Sequence, residues 1–357
     1  MGTIPDSNGW PNTHAMGDLS TLHPIPWVND GKHKVGEIIC DLSYPADGSL
    51  LPHCPRNLAR KQLDRLRWLG LEFYSTFESE VMLFDLESGN SVAKDMGFSA
   101  MLQLSKVEHL FMDADDLLSE ATVDVESYHV EYGVGQYEMP LAPRYGLGAA
   151  DMMFTYRNSM KEIAAKKGFD AAFMTKPRPG PICNGCHFNH SIWSLDNGEQ
   201  KNAFEDAEDP DNLSVLFKQW MGGLVKHAPA LCALSCPTVN CYRRVHHPFS
   251  PCKADWGIGN RLASFRVKNR PIPYIENRVP SGSCNPYLVM AATVAAGIDG
   301  IETGALCPPE MDAGADGMPH TLQEALDVLQ KDKVIANALG KEFMQWFVAS
   351  KEGLEIK

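Results

Sequence analysis

The feature that most constrains this chain is a pair of acids, Glu78 and Glu80, set inside a strand-like run at residues 74–84. Alternate residues of a strand share one face, so the two carboxylates point the same way, about 7 Å apart along the backbone. Like charges so placed repel unless the face is open to water or a cation lies between them. An exposed strand face is the ordinary explanation of an isolated Glu-x-Glu, and neighbouring residues must decide between the two.

Around that strand the chain alternates between two periodicities. Residues 35–42 form a short apolar run, and residues 55–69 carry Leu58, Ala59, Leu63, Leu66 and Leu69 on a helical stripe, with Pro in the first turn and Gly70 as its stop. Residues 123–141 are strand-like, and residues 149–167 helical up to Gly168. A helix is predicted over 212–227 after Asp-Pro-Asp, and a nearly all-apolar one over 285–301. Thr321 and Glu324 form a capping box opening the first of two C-terminal helices. Residues 1–36, rich in Gly, Pro, Asn and Asp, read as a loop or the remnant of an N-terminal domain. Interleaved antiparallel strands and helices predict an α+β fold in which a sheet lines a wide site at residues 37–357.

The 357 residues are 44% hydrophobic and carry a formal charge of −13, which argues against nucleic acid or an anionic membrane as the main partner. No apolar run spans a bilayer and no signal pattern opens the chain, so a cytosolic location is expected. The ten cysteines read as reduced thiols. Cys183 and Cys186 have the spacing of half a zinc site, but no second CxxC follows at a usual distance.

Other polar residues accompany Glu78 and Glu80. Glu131 and Glu138 flank a Gly-x-Gly turn that allows the two to meet, and hairpin flanks explain them equally well. His187 stands alone in Gly-Cys-His, where a satisfied core histidine is the common case. Glu276 and Arg278 share a strand face, the arrangement of a plain salt bridge. Arg243, Arg244, Arg261, Arg266, Arg270 and Arg278 cluster late in an acidic chain, which suggests an anionic substrate.

In order, the Glu-x-Glu strand, Glu-x6-Glu around Gly-Gln, Phe173-Met174-x-Lys176-Pro177 leading to Gly-x-His, Asn-x-Tyr-Arg-Arg, Asn-Arg-x-Ala-Ser-x-Arg, Glu-x-Arg-x-Pro and Asn-Pro-Tyr-Leu together resemble the glutamine synthetase superfamily. The resemblance implies that family's catalytic domain, an antiparallel half-barrel with helices, with the N-terminal β-grasp domain largely missing. It assigns Glu80, Glu131 and Glu138 to one divalent ion and Glu78, His187 and Glu276 to a second, giving two Mg²⁺ or Mn²⁺ per subunit. It implies ATP, glutamate and ammonium as substrates: the glutamate side chain takes the γ-phosphate, and ammonia displaces it. Arg244 matches the arginine on the glutamate α-carboxylate. Arg261, Arg266 and Arg278 match those neutralising phosphate charge, Arg266 and Ser191 lying at the nucleotide. The family also implies a homo-oligomer, a double ring. The stripe Ala338, Leu339, Phe343, Trp346 and Phe347 offers apolar surface for that packing, unless it is internal core.

Several positions depart from the family pattern. Ile182 and Cys183 replace an Asn-Gly pair that contacts glutamate, and Asn189 replaces a second histidine, His190 being one place off. The flap after Arg244, residues 245–251, offers no acid to deprotonate ammonium, and only Asp6 stands in for the acid normally lent by the missing domain. Residues 220–227 and 285–297 resemble the lengsin branch of the family, regarded as inactive and proposed to organise lens cytoskeleton, with intermediate filaments as partners. Three readings follow: a weakened glutamate–ammonia ligase, a non-catalytic oligomeric structural or chaperone protein, or a γ-glutamyl ligase for a larger amine.

Overall fold

The computed structural model describes residues 12–28, 31–95, 97–196, 199–245, 247 and 249–356, so Asp6 lies outside the described residues. Four short strands come first: β1 (His14–Gly17), β2 (His23–Pro24), β3 (Gly36–Glu37) and β4 (Cys40–Ser43). β1 pairs with β4 and β2 with β3, so the segment expected to be loop carries two antiparallel ladders reaching across residue 36. Helix α1 (Pro55–Trp68) starts on Pro55, buries Leu58, Ala59, Leu63 and Leu66, and ends before Gly70, whose φ of +74° a side chain would resist.

β5 (Leu71–Asp85) is the longest strand and the axis of the fold. Helices α2 (Met101–Ser105) and α3 (Glu108–Glu120) follow, then β6 (His129–Val130), β7 (Gln136–Pro140), β8 (Arg144–Tyr145), α4 (Gly148–Lys166) and β9 (Phe169–Ala172). The single strand expected at 123–141 is thus broken: Gln136 donates its N–H to Gly133 O at 3.0 Å, and Gly135 turns the chain at φ +68°. The remaining strands are β10 (Cys186–Asp196), β11 (Glu199–Asn202), β12 (Trp256–Ile258), β13 (Phe265–Lys268) and β14 (Tyr274–Asn277). Among the described residues one sheet runs β12-β13-β14-β10-β5-β7-β6, with β11 on β10 and with β8 and β9 on β5. All its pairs are antiparallel except β12–β13.

Helices α5 (Val215–Ser235) and α6 (Pro286–Thr303) pack on one another, and Trp220 of α5 reaches Phe73 and His190 of the sheet. α5 begins later than expected. Asp209 Oδ1 accepts from the N–H of Asp211 and Leu213, and Asn212 sits at φ +59°, so the chain turns there, and the cap is Ser214, accepting from Phe217 N. It also continues through Pro229 to Ser235, because residues 230–235 are buried and a packed face outweighs one missing helical hydrogen bond. α6 is capped by Asn285, accepting from Tyr287 N and Leu288 N, and ends on Gly304 at φ +61°. Gly223 and Gly300 let the two helices touch backbone to backbone: a Cβ at Gly223 would lie 2.2 Å from Ala296 O, and one at Gly300 2.1 Å from Gln219 O.

Among the described residues the C-terminal region holds three α-helices, not two, α7 (Leu322–Lys331), α8 (Lys333–Leu339) and α9 (Lys341–Ser350), followed by a π-helical turn at Lys351–Glu355. Asp332 caps α8, and Gly340 at φ +89° separates it from α9. Thr321 accepts from Glu324 N, as the capping pattern predicts. The apolar stripe of this region is core, not free surface: Ala338, Leu339, Phe343 and Phe347 are buried, and Trp346 stacks on His53 at 5.6 Å. No helix among the described residues is long and apolar enough to cross a membrane.

Candidate active site

The register of β5 decides where its two acids go. Glu78 lies opposite His187 of β10, and Glu80 lies opposite Glu138 of β7. Directly opposed residues of antiparallel strands have Cβ atoms ~5 Å apart, so one strand feeds two polar groups on either side of it. On the next strand over, Glu276 of β14 faces Asn189 of β10 and, on its other side, Arg266 of β13.

The first group is Glu78, His187 and Glu276, whose ligand atoms lie within 4.8 Å of one another. His187 Nδ1 is 3.6 Å from Glu78 Oε2 and 3.4 Å from Glu276 Oε1. Asn189, at the position expected to hold a histidine, donates to Glu78 Oε1 at 2.5 Å. Arg266 and Arg278 donate to the two oxygens of Glu276 at 2.8 and 2.5 Å. Arg266, expected at the nucleotide, lines the same cavity and gives one of its donors to this carboxylate. Burial and the charge of Arg278 push His187 well below the ordinary imidazole value, so it is a neutral donor with a lone pair to give. Burial alone would raise Glu276, yet it stays below the usual carboxylate value; with His187 neutral, Arg278 and Arg266 are the charges that hold it there.

The second group is Glu131 and Glu138, brought together across the turn, with His129 beside them. His129 Nδ1 is 3.6 Å from Glu131 Oε1, and its Nε2 is 3.6 Å from Glu138 Oε1. His129, not Glu80, is the third side chain whose ligand atoms lie within 4.8 Å of those of Glu131 and Glu138. Glu80 lines the same cavity but its Oε2 accepts from Gly185 N at 2.6 Å and Gln136 Nε2 at 2.9 Å. Burial and neighbouring carboxylates raise Glu80 and Glu131 to about 7 each, and burial pushes Glu138 up as well. The hydrogen bond to Glu138 raises His129 to about 9, making it the cation of the group. Burial is the main cause of the upward shifts of the three acids and the neighbouring carboxylates add to it, so a cation bound here would relieve the group.

Both groups open into one cavity of about 810 Å³, which Arg244, Arg261 and Arg278 also line. Arg244 is buried and donates to Val279 O and Arg278 O at 3.1 and 3.0 Å. Ile182, Cys183 and Ser250 face the same space. Ser191 does not line it: its Oγ accepts from Trp193 Nε1 at 2.9 Å. His190 points to the opposite face of β10, where its Nε2 accepts from Trp220 Nε1 amid Phe73 and Phe188. Neither group able to hold a metal includes Cys183 or Cys186, and Cys186 is buried. His129 escaped the sequence reading, which named Gln136 only as part of the Gly-Gln motif. His129-x-Glu131 repeats the alternate-residue pattern of Glu78-x-Glu80, and that was the available signal.

A half-barrel sheet carrying two acid–imidazole groups and an arginine-lined wall defines a class. Residues 52–357 match the glutamine synthetase catalytic domain, and the chain belongs to that family. Lengsin of Homo sapiens is 32% identical over 356 residues, covering 94% of this chain and 67% of lengsin; lengsin of Canis lupus familiaris is 32% identical, and the chain spans 59% of its length. Glutamine synthetase of Thermotoga maritima is 33% identical over 94% of this chain and 79% of its own length. Among solved structures, a GmaS/ADP complex superposes with a TM-score of 0.88 at 26% identity, covering 98% of this chain and 83% of that one.

Proposed function

We propose that this cavity carries out γ-glutamyl ligase chemistry: ATP phosphorylates the glutamate side chain, and an amine displaces the phosphate. The observation that carries the reading is the pairing of Glu78 with His187 and Glu80 with Glu138 across β5, beside Arg244, Arg261 and Arg278 in one cavity. The donor set suits hard divalent ions: Glu78, His187 and Glu276 would hold one, and Glu131 and Glu138, with Glu80 beside them, a second. Bound Mg²⁺ or Mn²⁺ would supply charge neutralisation at phosphate oxygens. Arg261 and Arg278 would add positive charge where the transferred phosphoryl group gains negative charge. Arg244 would hold the glutamate α-carboxylate, its guanidinium fixed by Val279 O and Arg278 O. We place ATP at the cavity; Ser191, matched to the nucleotide by the resemblance, accepts from Trp193 Nε1 and keeps its own O–H to donate.

With ammonium, turnover should be far below that of a complete glutamine synthetase. Ile182 has no hydrogen bond to offer glutamate, and the flap, residues 245–251, contains no acid to take a proton from ammonium. Losses of that kind cost ~10²-fold or more in rate. A second reading, a non-catalytic oligomeric protein, draws support from the similarity to lengsins and from that same acid-free flap. A homo-oligomer fits either reading; exposed Trp68, Leu19 and Leu22 supply apolar surface that the buried C-terminal stripe does not. The test is γ-glutamyl hydroxamate formation with ATP, glutamate, hydroxylamine and Mg²⁺ or Mn²⁺. Product formation that is lost in Glu276→Ala supports the ligase. Its absence, with two ions still bound by calorimetry, supports the scaffold.

A further inference from the structure

Besides its carboxylates and arginines, the cavity is lined by Phe98, Tyr132, Ile182, Phe249 and Leu262. Three of these form one continuous stack. The rings of Phe98 and Tyr132 lie 4.2 Å apart at 11°, and those of Tyr132 and Phe249 lie 5.4 Å apart at 11°. They come from three separate segments, and all three rings stay exposed, Phe249 at 58%. The loop carrying Phe98 is tied down by Ser99 N, which donates to Val130 O at 3.0 Å.

Two observations argue that this stack is built for an occupant. Phe249 sits at φ +77°, a left-handed conformation that costs a bulky residue ~1–3 kcal/mol. A stacked aromatic pair returns only ~0.5–1.5 kcal/mol beyond its burial, so the protein alone gains little by holding the ring there. The stack also begins at the acidic group. Tyr132 directly follows Glu131, whose carboxylate accepts its N–H at 3.2 Å, and Phe98 meets His129 edge-on at 6.5 Å. A ligand matching both surfaces has a cationic nitrogen at one end and an apolar body at the other.

We propose that Phe98, Tyr132 and Phe249 form the acceptor subsite, selecting a primary amine with an aromatic or branched apolar body over ammonium. This rests on the γ-glutamyl phosphate reading above. In the transfer, the nitrogen forms a bond to the γ-carbonyl carbon as the bond from that carbon to the phosphate oxygen breaks. Phosphate leaves with the electron pair, and of the two protons the ammonium loses, one goes to phosphate and one to water. The products are a γ-glutamyl amide and inorganic phosphate. An apolar body also lowers the cost of bringing the amine into a half-enclosed site, where bare ammonium would surrender its hydration.

The experiment compares phenethylamine, ammonium and hydroxylamine as acceptors with ATP, glutamate and Mn²⁺, reading phosphate release and the amide by mass spectrometry. Phenethylamine should exceed ammonium in kcat/KM at least tenfold. In Phe249→Ala and Tyr132→Leu the ratio of kcat/KM for phenethylamine to that for hydroxylamine should fall about tenfold, which is about 1.4 kcal/mol. Phe249→Trp should restore it. Ammonium equal to or better than phenethylamine, with the variants changing both alike, overturns the subsite and leaves the ligase standing. No turnover with any acceptor overturns the ligase; the subsite is then judged by calorimetric titration of phenethylammonium with Mn²⁺ present. Binding weakened tenfold in Phe249→Ala supports it, and no binding, or equal binding, overturns it.

Discussion

Replacing Arg56 by leucine should be among the most damaging single changes outside the active site. The guanidinium is 4% exposed and serves three carboxylates at once. Its Nε and Nη2 reach Asp151 at 2.8 and 2.9 Å, Nη1 reaches Asp41 at 2.8 Å, and Nη2 reaches Asp18 at 2.8 Å. These acids belong to α4, β4 and the turn after β1, so one side chain joins the N-terminal ladders to the helical layer. Removing one partner of a buried ion pair costs ~3–5 kcal/mol, because the remaining charge stays buried without compensation. Here three carboxylates are left together, although Tyr287 Oη still donates to Asp151 at 2.7 Å. At ~2 °C per kcal/mol for a chain of this size, Tm at pH 7 should fall by about 6–10 °C in Arg56→Leu. The loss should shrink as pH drops, since protonated carboxylates no longer need the guanidinium. In the wild type, Asp18 is held at about 2 by the Ser20 hydroxyl and then by Arg56, against 3.8 ordinarily. Its folded-state value is depressed, so its contribution is present above pH ~4 and disappears as pH falls toward 2. Calorimetric scans of both proteins from pH 2 to 8 measure this. A variant within 2 °C of wild type at pH 7 would refute the reasoning.

Mn²⁺ should bind at two sites per chain and raise Tm, and Glu78→Ala with Glu276→Ala should abolish one of them by titration calorimetry. His227, buried between Asp299 at 2.9 Å and Asp332 at 2.6 Å, is raised above its ordinary value by those acids despite burial. Its stabilisation is therefore full below pH ~6.5 and lost as pH rises through the folded value, and His227→Gln should flatten that part of a stability–pH profile. Gly223→Ala should cost at least ~3 kcal/mol or prevent folding, since its Cβ would meet the backbone of α6 at 2.2 Å; a soluble variant with wild-type Tm refutes the helix contact. Restoring Ile182→Asn, Cys183→Gly and Ser250→Glu together should raise glutamine formation in a coupled phosphate assay.

The elements legible in the sequence were those whose local chemistry and burial agree. α1 runs from its proline to its glycine, and α6 from its Asn cap to Gly304, because the cap, the stripe and the stop all favour the same span. α5 was misread where two local signals compete: the Asp-Pro-Asp run looks like a cap, yet Asn212 turns left-handed and Ser214 takes the role. Its passage through Pro229 rests on α6, which no local window contains. Within the site, the shared face of Glu78 and Glu80 follows from strand alternation, whereas their partners depend on register, which a sequence does not print. His129 was missed because its significance lies in facing Glu138 across a turn. The ring stack was unreadable for the same reason: Phe98, Tyr132 and Phe249 are separated by 34 and 117 positions in the chain.

β5 carries both acids on one face and sends them to opposite neighbours, and this sets the order in which such a site can decay. A change of side chain at Glu78 removes a ligand on the β10 side, and one at Glu80 leaves the group of Glu78, His187 and Glu276 with all its ligands. A single inserted or deleted residue before Glu78 would instead turn the acids over to the helical side of the sheet and empty both places in one step. Point substitution can therefore yield a lineage with half a site, while a length change cannot. A relative of this chain that keeps one ligand group and has lost the other should differ by substitutions, with the length of β5 intact.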